Sequence, residues 1–448
     1  MADIKSGRLG SDQYASNFKD KQLVLNELSA QLEAGRCLYC DNAPCTEACP
    51  SEIDVPGFIN MIASGNRKGA SRLILRQNIM GGTCARVCPT ETLCEEVCVR
   101  NLQDQPPINI SALQRFATDR IIEHDQDMFE RSQSSGKKVA VVGAGPAGMA
   151  CAHRLACKGH EVVIYEAAEK SGGLNTYGLA AYKIKSDFAQ KEIHWILSIG
   201  GIDVHHGMRI GKDIQLEDLV KEFDAVFLSM GAGSAKHLDL EQENTEGCLD
   251  AIDYIADLRG EEQFDQLPVG RNVVVIGGGM TAIDIATQSK KLGAEHVALV
   301  YRRSQEAMAA SKKEQEFAQT NGVTILCNAQ PVKLLVQDRQ LAAVRFEQTE
   351  TINGKLRGRG ETFDLPADMM FRAIGQTLVT DDLKNAGLDI DRGRIKVDEN
   401  LCTSREGVWA GGDCVAGGQD LTVSAVQDGK LAAESIHQSM MKNSPEEN

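Results

Sequence analysis

Eight of the fourteen cysteines in the chain lie in two short runs. The first run has the pattern C-x2-C-x4-C-x3-C-P and comprises Cys37, Cys40, Cys45 and Cys49. The second run has the pattern C-x3-C-P-x4-C-x3-C and comprises Cys84, Cys88, Cys94 and Cys98. Closely spaced thiolates followed by a Cys-Pro step are typical of bacterial ferredoxins, in which the cysteine before the proline binds the other cluster.

The two runs together predict two [4Fe-4S] clusters. Three cysteines of the first run would bind one cluster, and Cys49 would cross to a second cluster built mainly from the second run. Eight thiols would then fill eight ligand positions. A pair of structural zinc sites is the alternative, because four-cysteine zinc sites also use C-x2-C pairs, although only one such pair exists here.

A glycine-rich turn further along the chain has the residue types needed to hold a dinucleotide. Gly143, Gly145 and Gly148 follow a β-branched run and open a helical stretch, and Glu166 ends the next apolar run. Glycines at these positions allow backbone N–H groups to approach a pyrophosphate at a helix N-terminus, while the acid binds the ribose hydroxyls. The alternative is a glycine turn that holds no phosphate.

A second turn, GGGMTA at residues 277–282, follows the same plan. At the end of its second apolar run stand Arg302 and Arg303, where an NAD site would present an acid. Arginine suits a 2′-phosphate, so the local chemistry favours NADP. The alternative is that both arginines belong to a solvated turn.

A late GGD turn followed by a helix predicts a return to the first nucleotide. Asp413 can accept a hydrogen bond from a ribityl hydroxyl, and the helix that begins near Thr422 presents partial positive charge to a reduced, anionic flavin. This pattern predicts that the first nucleotide is FAD. A simple helix cap is the alternative.

The elements around these motifs predict an α/β protein with an N-terminal helical part. Helical spacing and no strand pattern characterise residues 1–132, with helices expected before Gly35, from Asp54 and over residues 70–77. Two βαβ units follow the polar stretch 132–136. The second has expected strands at 272–277 and 296–301 around a helix at 280–292.

Composition limits the classes of function. With 448 residues the chain has material for about three domains. A net charge of −15 provides no broad positive surface, so nucleic acid is not expected as a partner. No apolar run reaches the length of a membrane span, and the first residues contain no apolar signal region, so we expect a cytoplasmic protein without disulfides.

The motifs together resemble the FAD–NAD(P)H half of dihydropyrimidine dehydrogenase. They comprise the two cysteine runs, GAGPAG, Glu166 with SGGLNTYG, GGGMTA, VYRRS, and AGGDC with TVSAVQDGK. They occur in the order of that family and cover nearly the whole chain. The chain is also similar to the glutamate synthase small subunit. In detail it resembles the small subunit of bacterial NAD-dependent dihydropyrimidine dehydrogenase, which pairs with a separate FMN-containing subunit.

The resemblance assigns ligands to each cluster and changes the cysteine count. The first cluster would use Cys37, Cys40, Cys45 and Cys98, and the second would use Cys49, Cys88, Cys94 and Gln114. Cys84 would then bind no iron, in disagreement with the count of eight thiols. We follow the family and expect Gln114 as the eighth ligand.

The resemblance also assigns nucleotide-binding residues. For FAD they are Gly143, Gly145, Gly148, Glu166, Gly173, Leu174, Lys183, Asp413 and Thr422. For the nicotinamide nucleotide they are Gly278, Gly279, Thr281, Arg302, Arg303 and the turn from Ala373 to Gly375. The NADPH-using long form has a further basic residue where this chain has the apolar stretch 307–310. We therefore expect NADH, against the local arginine chemistry.

The resulting prediction is a helical bis-[4Fe-4S] domain followed by two doubly wound dinucleotide-binding domains, similar to adrenodoxin or glutathione reductase. The expected boundaries are 1–132 for iron–sulfur, 133–230 with 376–448 for FAD, and 231–375 for NAD(P)H. Hydride from NAD(P)H would reach FAD, and single electrons would pass through the clusters to a partner. No length remains for the roughly 250 residues of a barrel for FMN and pyrimidine, so the partner subunit would reduce uracil or thymine.

Two other functions remain open at this point. One is an analogous subunit that feeds glutamate synthase or another reductase. The other is a zinc-stabilised nucleotide-binding scaffold without turnover. A partner that carries FMN, and a colour bleached by NADH, would distinguish the dehydrogenase from these alternatives.

Overall fold

The computed structural model describes residues 3–4, 8–185, 187–261, 263–378 and 386–442. Its helices are α1 (Ser11–Asn17), α2 (Glu27–Ala34), α3 (Pro44–Glu47), α4 (Val55–Ala63), α5 (Arg67–Gln77), α6 (Gly81–Val87), α7 (Ile110–Glu123), α8 (Pro146–Cys157), α9 (Leu174–Tyr177), α10 (Phe188–Leu197), α11 (Leu216–Glu222), α12 (Ala251–Gly260), α13 (Met280–Leu292), α14 (Lys312–Thr320) and α15 (Thr422–Lys442). None of these helices is both long and apolar enough to cross a bilayer.

The strands form parallel sheets and smaller antiparallel ones. They are β1 (Lys138–Val142), β2 (Glu161–Glu166), β3 (Ile202–His206), β4 (Ala225–Leu228), β5 (Ser234–Ala235), β6 (Cys248–Asp250), β7 (Asn272–Ile276), β8 (His296–Tyr301), β9 (Val323–Cys327), β10 (Ala329–Gln337), β11 (Gln340–Ile352), β12 (Lys355–Pro366), β13 (Met369–Arg372), β14 (Gln376–Thr377), β15 (Ile390–Asp391), β16 (Arg394–Ile395) and β17 (Val408–Ala410).

The chain divides into two compact units, each built from several segments. Unit 1 comprises Met1–Lys21, Tyr177–Lys183 and Ser234–Thr377, and unit 2 comprises Gln22–Thr176, Ile184–Gly233 and Leu378–Asn448. Compactness thus groups the cysteine runs with the first βαβ unit. The predicted division into three domains follows the motifs and stays a prediction.

The cysteine-rich part of unit 2 consists of helices with polar caps and an apolar core. The side chains of Asn26, Asp54 and Asn66 each accept a hydrogen bond from the first turn of the helix that follows. Phe58 and Leu113 are fully buried between these helices. The described residues before β1 contain no strand, as predicted, and α2, α4 and α5 lie where the sequence predicts helices.

The other part of unit 2 is a parallel sheet with the strand order β17-β4-β1-β2-β3. Helix α15 packs on α8, and a Cβ added at Gly429 of α15 would lie 2.0 Å from the carbonyl oxygen of Ala147. Only glycine permits such a close approach of two helix backbones. The last strand and helix of the chain therefore complete the fold that begins at β1.

Unit 1 contains a second parallel sheet, with the strand order β6-β13-β7-β8-β9, and the antiparallel sheet β10-β11-β12. Helix α1 and Phe18, which follows it, pack on the rest of this unit. Phe18 is fully buried, with its ring 4.4 Å from that of Phe264, and the Asn17 amide donates to the Lys291 carbonyl at 2.8 Å. Two parallel sheets preceded by helices confirm the predicted α/β fold class.

A buried carboxylate connects the two parts of unit 2. Glu192 of α10 is 1% exposed, and its carboxylate accepts hydrogen bonds from the backbone N–H groups of Gly82 and Thr83 and from the Thr83 hydroxyl. It thereby caps the N-terminus of α6. Burial raises the pKa of Glu192 to about 7, although these hydrogen bonds oppose the shift.

The stability of the protein should depend on pH because of the Glu192 carboxyl group. Between its ordinary pKa of 4.5 and the folded value of about 7, the folded chain binds more protons than the unfolded chain. Stability of the wild type relative to E192Q should therefore fall by up to about 3 kcal/mol as the pH rises through this interval. Denaturant unfolding of both proteins at several pH values measures the difference. A difference that does not change with pH would contradict the assignment.

Candidate functional site

Four cysteines surround one cavity in unit 2. Cys37, Cys40, Cys45 and Cys98 line it, together with apolar side chains that include Ile59. Burial raises the pKa of Cys45 to about 11, and the neighbouring thiols of Cys37 and Cys98 add to the shift. Such thiols stay protonated unless a metal centre binds them as thiolates. The set suits a [4Fe-4S] cluster and coincides with the four ligands predicted for the first cluster.

The remaining cysteines of the two runs form a second group. A hydrogen bond to Cys84, burial, and the nearby thiols of Cys94 and Cys49 all raise the pKa of Cys88. Burial also raises the pKa of Cys94, with Glu95 and Cys49 adding to the shift. The structure thus brings Cys49, Cys88 and Cys94 together, as predicted for the second cluster, and places Cys84 beside them.

Gln114 lies on α7 and is 8% exposed. Its amide nitrogen donates to the Gly81 carbonyl at 2.7 Å, and no described residue donates to its amide oxygen. An oxygen without a donor is available to a metal, which fits the predicted ligand role. Cys84 is also buried in this region, so the identity of the eighth ligand stays a prediction.

A single metal ion and an iron–sulfur cluster make different demands on the spacing of thiols. In the described part of the chain, no three His, Cys, Asp or Glu side chains are grouped closely enough to hold one metal ion. A single zinc ion draws its sulfur ligands to about 2.3 Å from one centre, whereas each cysteine of a [4Fe-4S] cluster binds a different iron. The observation that supports a cluster is therefore the cavity lined by four cysteines.

The first glycine turn joins β1 to α8 in unit 2. A Cβ at Gly148 would lie 1.9 Å from the Gly143 carbonyl oxygen, so this position requires glycine. Gly145, by contrast, faces open space, with the Cα of Gly173 at 4.0 Å as its nearest neighbour. The open side of Gly145 is where a pyrophosphate can approach the N-terminus of α8.

Glu166 lies at the carboxyl end of β2, 9% exposed. Its carboxylate accepts from the backbone N–H groups of Ala144 at 2.6 Å and Ala168 at 2.7 Å. These bonds fix the carboxylate beside the glycine turn, in the position that suits ribose recognition. The sequence predicted the acid but not the two amides that orient it.

The C-terminal segment of unit 2 reaches residues next to this turn. Asn175, adjacent to Leu174, accepts a hydrogen bond from the Thr422 hydroxyl at 2.8 Å, and it is 2% exposed. Burial raises the pKa of Asp413 to about 6, and Asp420 adds to the shift. Asn175 is a site residue that sequence reasoning missed, because no motif marks its link to Thr422.

Lys183 does not share a unit with the glycine turn at Gly143. It lies in unit 1, where its ammonium contacts Asp284 at 2.7 Å and Glu314 at 3.3 Å. Burial alone would lower the pKa of Lys183, but these two carboxylates raise it. The Tyr182 hydroxyl also donates to Asp284, at 2.8 Å. Since its charge is already paired, the predicted FAD role of Lys183 stays a prediction without support from these contacts.

The second glycine turn joins β7 to α13 in unit 1. Among the described residues, apart from its chain neighbours, nothing lies within 4 Å of a Cβ placed at Gly279, whereas one at Gly278 would lie 2.5 Å from the Tyr301 ring. Thr281 is in the first turn of α13, and the Ala373–Gly375 turn follows the neighbouring strand β13. The structure therefore brings this predicted set to the carboxyl edge of one parallel sheet, where such sheets bind ligands.

A cavity of about 920 Å³ lies beyond the carboxyl ends of β8 and β9. Arg303, Glu350 and Arg359 line it. Arg302 accepts a hydrogen bond through its carbonyl from the Thr349 hydroxyl at 2.8 Å, which ties the end of β8 to the antiparallel sheet. Two guanidinium groups and one carboxylate thus share the cavity. The sequence did not predict that Glu350 of β11 and Arg359 of β12 would line it.

Comparisons with known proteins agree with this geometry. The family model described as pyridine nucleotide-disulphide oxidoreductase matches residues 137–429, and the model described as dihydropyrimidine dehydrogenase domain II, 4Fe-4S cluster, matches residues 14–126. The chain is 33% identical over 436 residues to the glutamate synthase [NADPH] small chain of Escherichia coli K12, covering 92% of this chain and 91% of that protein.

A second relative and a solved structure extend this result. The chain is 35% identical over 410 residues to the NAD-dependent dihydropyrimidine dehydrogenase subunit PreT of Escherichia coli O157:H7, covering 92% of this chain and 94% of that protein. The fold is similar to that of Mycobacterium tuberculosis FprA in complex with NADPH, with a TM-score of 0.59, 18% identity, and coverage of 68% of this chain and 85% of that one.

These matches identify an electron-transfer oxidoreductase with an FAD/NAD(P)-type part and a 4Fe-4S part. The chain belongs to the pyridine nucleotide-disulphide oxidoreductase family, in the group that includes the glutamate synthase small chain and the PreT subunit of dihydropyrimidine dehydrogenase.

Proposed function

We propose that the chain is the electron-input subunit of a dihydropyrimidine dehydrogenase. It takes reducing equivalents from NAD(P)H, with NADH as the preferred donor, and passes single electrons to a separate FMN- and iron–sulfur-containing subunit. That partner reduces uracil or thymine to the 5,6-dihydropyrimidine, or catalyses the reverse reaction. The free thiols in both cysteine groups need a reducing environment, which is the reason for proposing a cytoplasmic location.

One observation carries this proposal. The cavity lined by Cys37, Cys40, Cys45 and Cys98 lies in the same compact unit as the glycine turn at Gly145. A predicted centre for single electrons and a predicted dinucleotide turn thus belong to one compact unit. When bound, the nicotinamide nucleotide, FAD and clusters supply hydride transfer, electron splitting and single-electron conduction, respectively.

The chain's own residues would bind and orient these groups. The N-termini of α8 and α13 present backbone N–H groups to two pyrophosphates through the open positions Gly145 and Gly279. Glu166 is held by two amides for ribose binding, and Thr422 begins the helix that presents partial positive charge to the flavin. The apolar side chains around the first cysteine group exclude water from the sulfur ligands.

A subunit that feeds glutamate synthase is the second candidate. The observation in its favour is the 33% identity to the glutamate synthase small chain, which nearly equals that to PreT. The buried Gln114, whose amide oxygen receives no hydrogen bond from a described residue, favours the dehydrogenase. The two candidates share the same electron path within this chain and differ in the partner.

The preference between NADH and NADPH is argued from the cavity beside Arg303. Two guanidinium groups favour a 2′-phosphate, whereas Glu350 in the same cavity disfavours it and can accept from a ribose hydroxyl. We propose NADH because a carboxylate is available there and because residues 307–310 contain no basic side chain.

Electron delivery tests the proposed function directly. The isolated holoprotein should reduce an artificial acceptor with NADH, with a higher kcat/KM than with NADPH, and should leave uracil unchanged. Addition of the FMN-containing subunit of a bacterial dihydropyrimidine dehydrogenase from the same cell should start NADH-dependent uracil reduction, measured as loss of uracil absorbance. Uracil turnover by the isolated chain would refute the proposal, and turnover only with a glutamate synthase large subunit would favour the second candidate.

Matched valine substitutions separate the two nucleotide sites. Both Gly145 and Gly279 have room for a side chain in the fold, so the variants G145V and G279V should remain folded and fill the space meant for a pyrophosphate. We expect G145V to lose flavin but keep iron. We expect G279V to keep both, but NADH should reduce its flavin at least roughly tenfold more slowly. Flavin and iron content and anaerobic bleaching measure these effects. Retention of flavin by G145V would exclude the first turn as the flavin site.

The eighth cluster ligand can be determined by substitution. We expect C84S to keep the iron of both clusters, because serine can still bond to Cys88, and Q114V to lose the iron of one cluster, because valine offers no ligand atom. The variant Q114E, which retains an oxygen ligand, is the control. Iron and sulfide analysis after anaerobic reconstitution gives the answer. If C84S loses the iron of one cluster while Q114V keeps the iron of both, Cys84 is the eighth ligand instead.

A further inference from the structure

Helix α15 carries a buried ammonium group. Lys430 is 9% exposed and lies two turns beyond Thr422, at which α15 begins. Its Nζ donates to the carbonyl oxygen of Ser51 at 3.2 Å and to Oε1 of Gln77 at 2.9 Å. Both acceptors are neutral, so two of the three N–H groups are bonded while the charge has no paired counter-charge.

No carboxylate in the described part of the chain lies within ion-pair distance of this ammonium. The other buried lysine of comparable exposure, Lys183, contacts two carboxylates. Burial lowers the pKa of Lys430, whereas Glu52, the Cys49 thiolate and Glu434 oppose that shift. A buried charge without a paired counter-charge is costly, and an anion bound nearby would offset that cost.

The segment that Lys430 contacts identifies this anion. Ser51 is fully buried and follows the Cys49–Pro50 step by one residue, and its hydroxyl lies 3.5 Å from the Cys49 sulfur. Lys430 thus holds the backbone of the turn whose cysteine is the expected crossover ligand of the second cluster. A cluster bound through thiolates is negatively charged and would supply the missing counter-charge.

We propose that Lys430 is a positioning residue that raises the reduction potential of the cluster bound through Cys49. The inference rests on the proposed function, because it needs a cluster at Cys49. The step is the transfer of one electron from the reduced flavin to this cluster, and no bond forms or breaks. Since the reduced cluster carries one more negative charge, a fixed nearby cation stabilises it relative to the oxidised form.

The same helix connects the two cofactor regions of unit 2. Eight residues separate Thr422 from Lys430, which corresponds to about 12 Å along a helix axis. The N-terminus of α15 thus serves the expected flavin site, and its third turn serves the Cys49 turn. Lys430 would make the cluster nearer to this helix the favoured first acceptor of an electron from the flavin.

The test is a potentiometric titration of the holoprotein, followed by electron paramagnetic resonance of both clusters. In K430M, the equilibrium constant for reduction of one cluster should fall about tenfold. This lowers the potential of that cluster by about 59 mV for a one-electron step. The other cluster should keep its potential. K430R, which retains the charge, should restore most of the shift. K158M is the matched control, because it removes a lysine ammonium that is paired with Glu434.

The possible outcomes separate this inference from the proposed function. Unchanged potentials in a K430M protein that holds both clusters would refute the role of Lys430 and leave the proposed function intact. Absence of the second cluster from the wild type would refute both. If K430M does not assemble its clusters, K430Q, which can still bond to Ser51, provides the same test. An equal shift in K158M would mean that net charge alone acts, which would also refute the role of Lys430.

Discussion

The direct packing of α15 on α8 is the contact on which unit 2 depends. Because Gly429 has no side chain, the two helix backbones approach each other at Ala147, in the first turn after the glycine-rich loop. This approach brings Thr422 to Asn175 and Lys430 to Ser51. One helix pair therefore relates the expected flavin site to the cysteine turns, and a larger residue at 429 would separate them.

The two cysteine groups lie in different surroundings, and this difference bears on their roles. The first group lines a cavity among apolar side chains and lies beside the half-exposed Leu38 and Val97. The second group is more deeply buried, between α6 and the carboxylate of Glu95. Burial and nearby charge are two of the main determinants of cluster potential, so two clusters bound at these groups would differ in potential.

Local motifs allowed much of the fold to be predicted from the sequence. The helix over Met280–Leu292 and the strand over His296–Tyr301 have the predicted bounds, because glycine turns and β-branched runs specify them locally. Spacing groups Cys37, Cys40 and Cys45, whereas only the family resemblance predicts that Cys98 lies with them. The pairing of Lys183 with Asp284 could not be predicted, since it joins residues about a hundred positions apart without a motif.

The sequence pattern could not predict some other features of the structure. Leu28 and Leu32 have the spacing of a buried helical face, but both are 66% exposed, and Ala30 and Ala34 of the same helix are buried instead. The carboxylate of Glu192 meets α6 through backbone N–H groups, which no side-chain pattern marks. Sequence periodicity thus predicts that a helix forms but not which of its faces packs.

The interleaved order of the two units has a consequence for biosynthesis. The chain enters unit 1, leaves it, returns briefly at Tyr177–Lys183 and again at Ser234–Thr377, and ends in unit 2. The sheet that starts with β1 acquires its edge strand β17 only after the segments of unit 1 have been synthesised. A nascent chain that stops before α15 would therefore lack the helix whose Lys430 contacts Ser51 in the cysteine region.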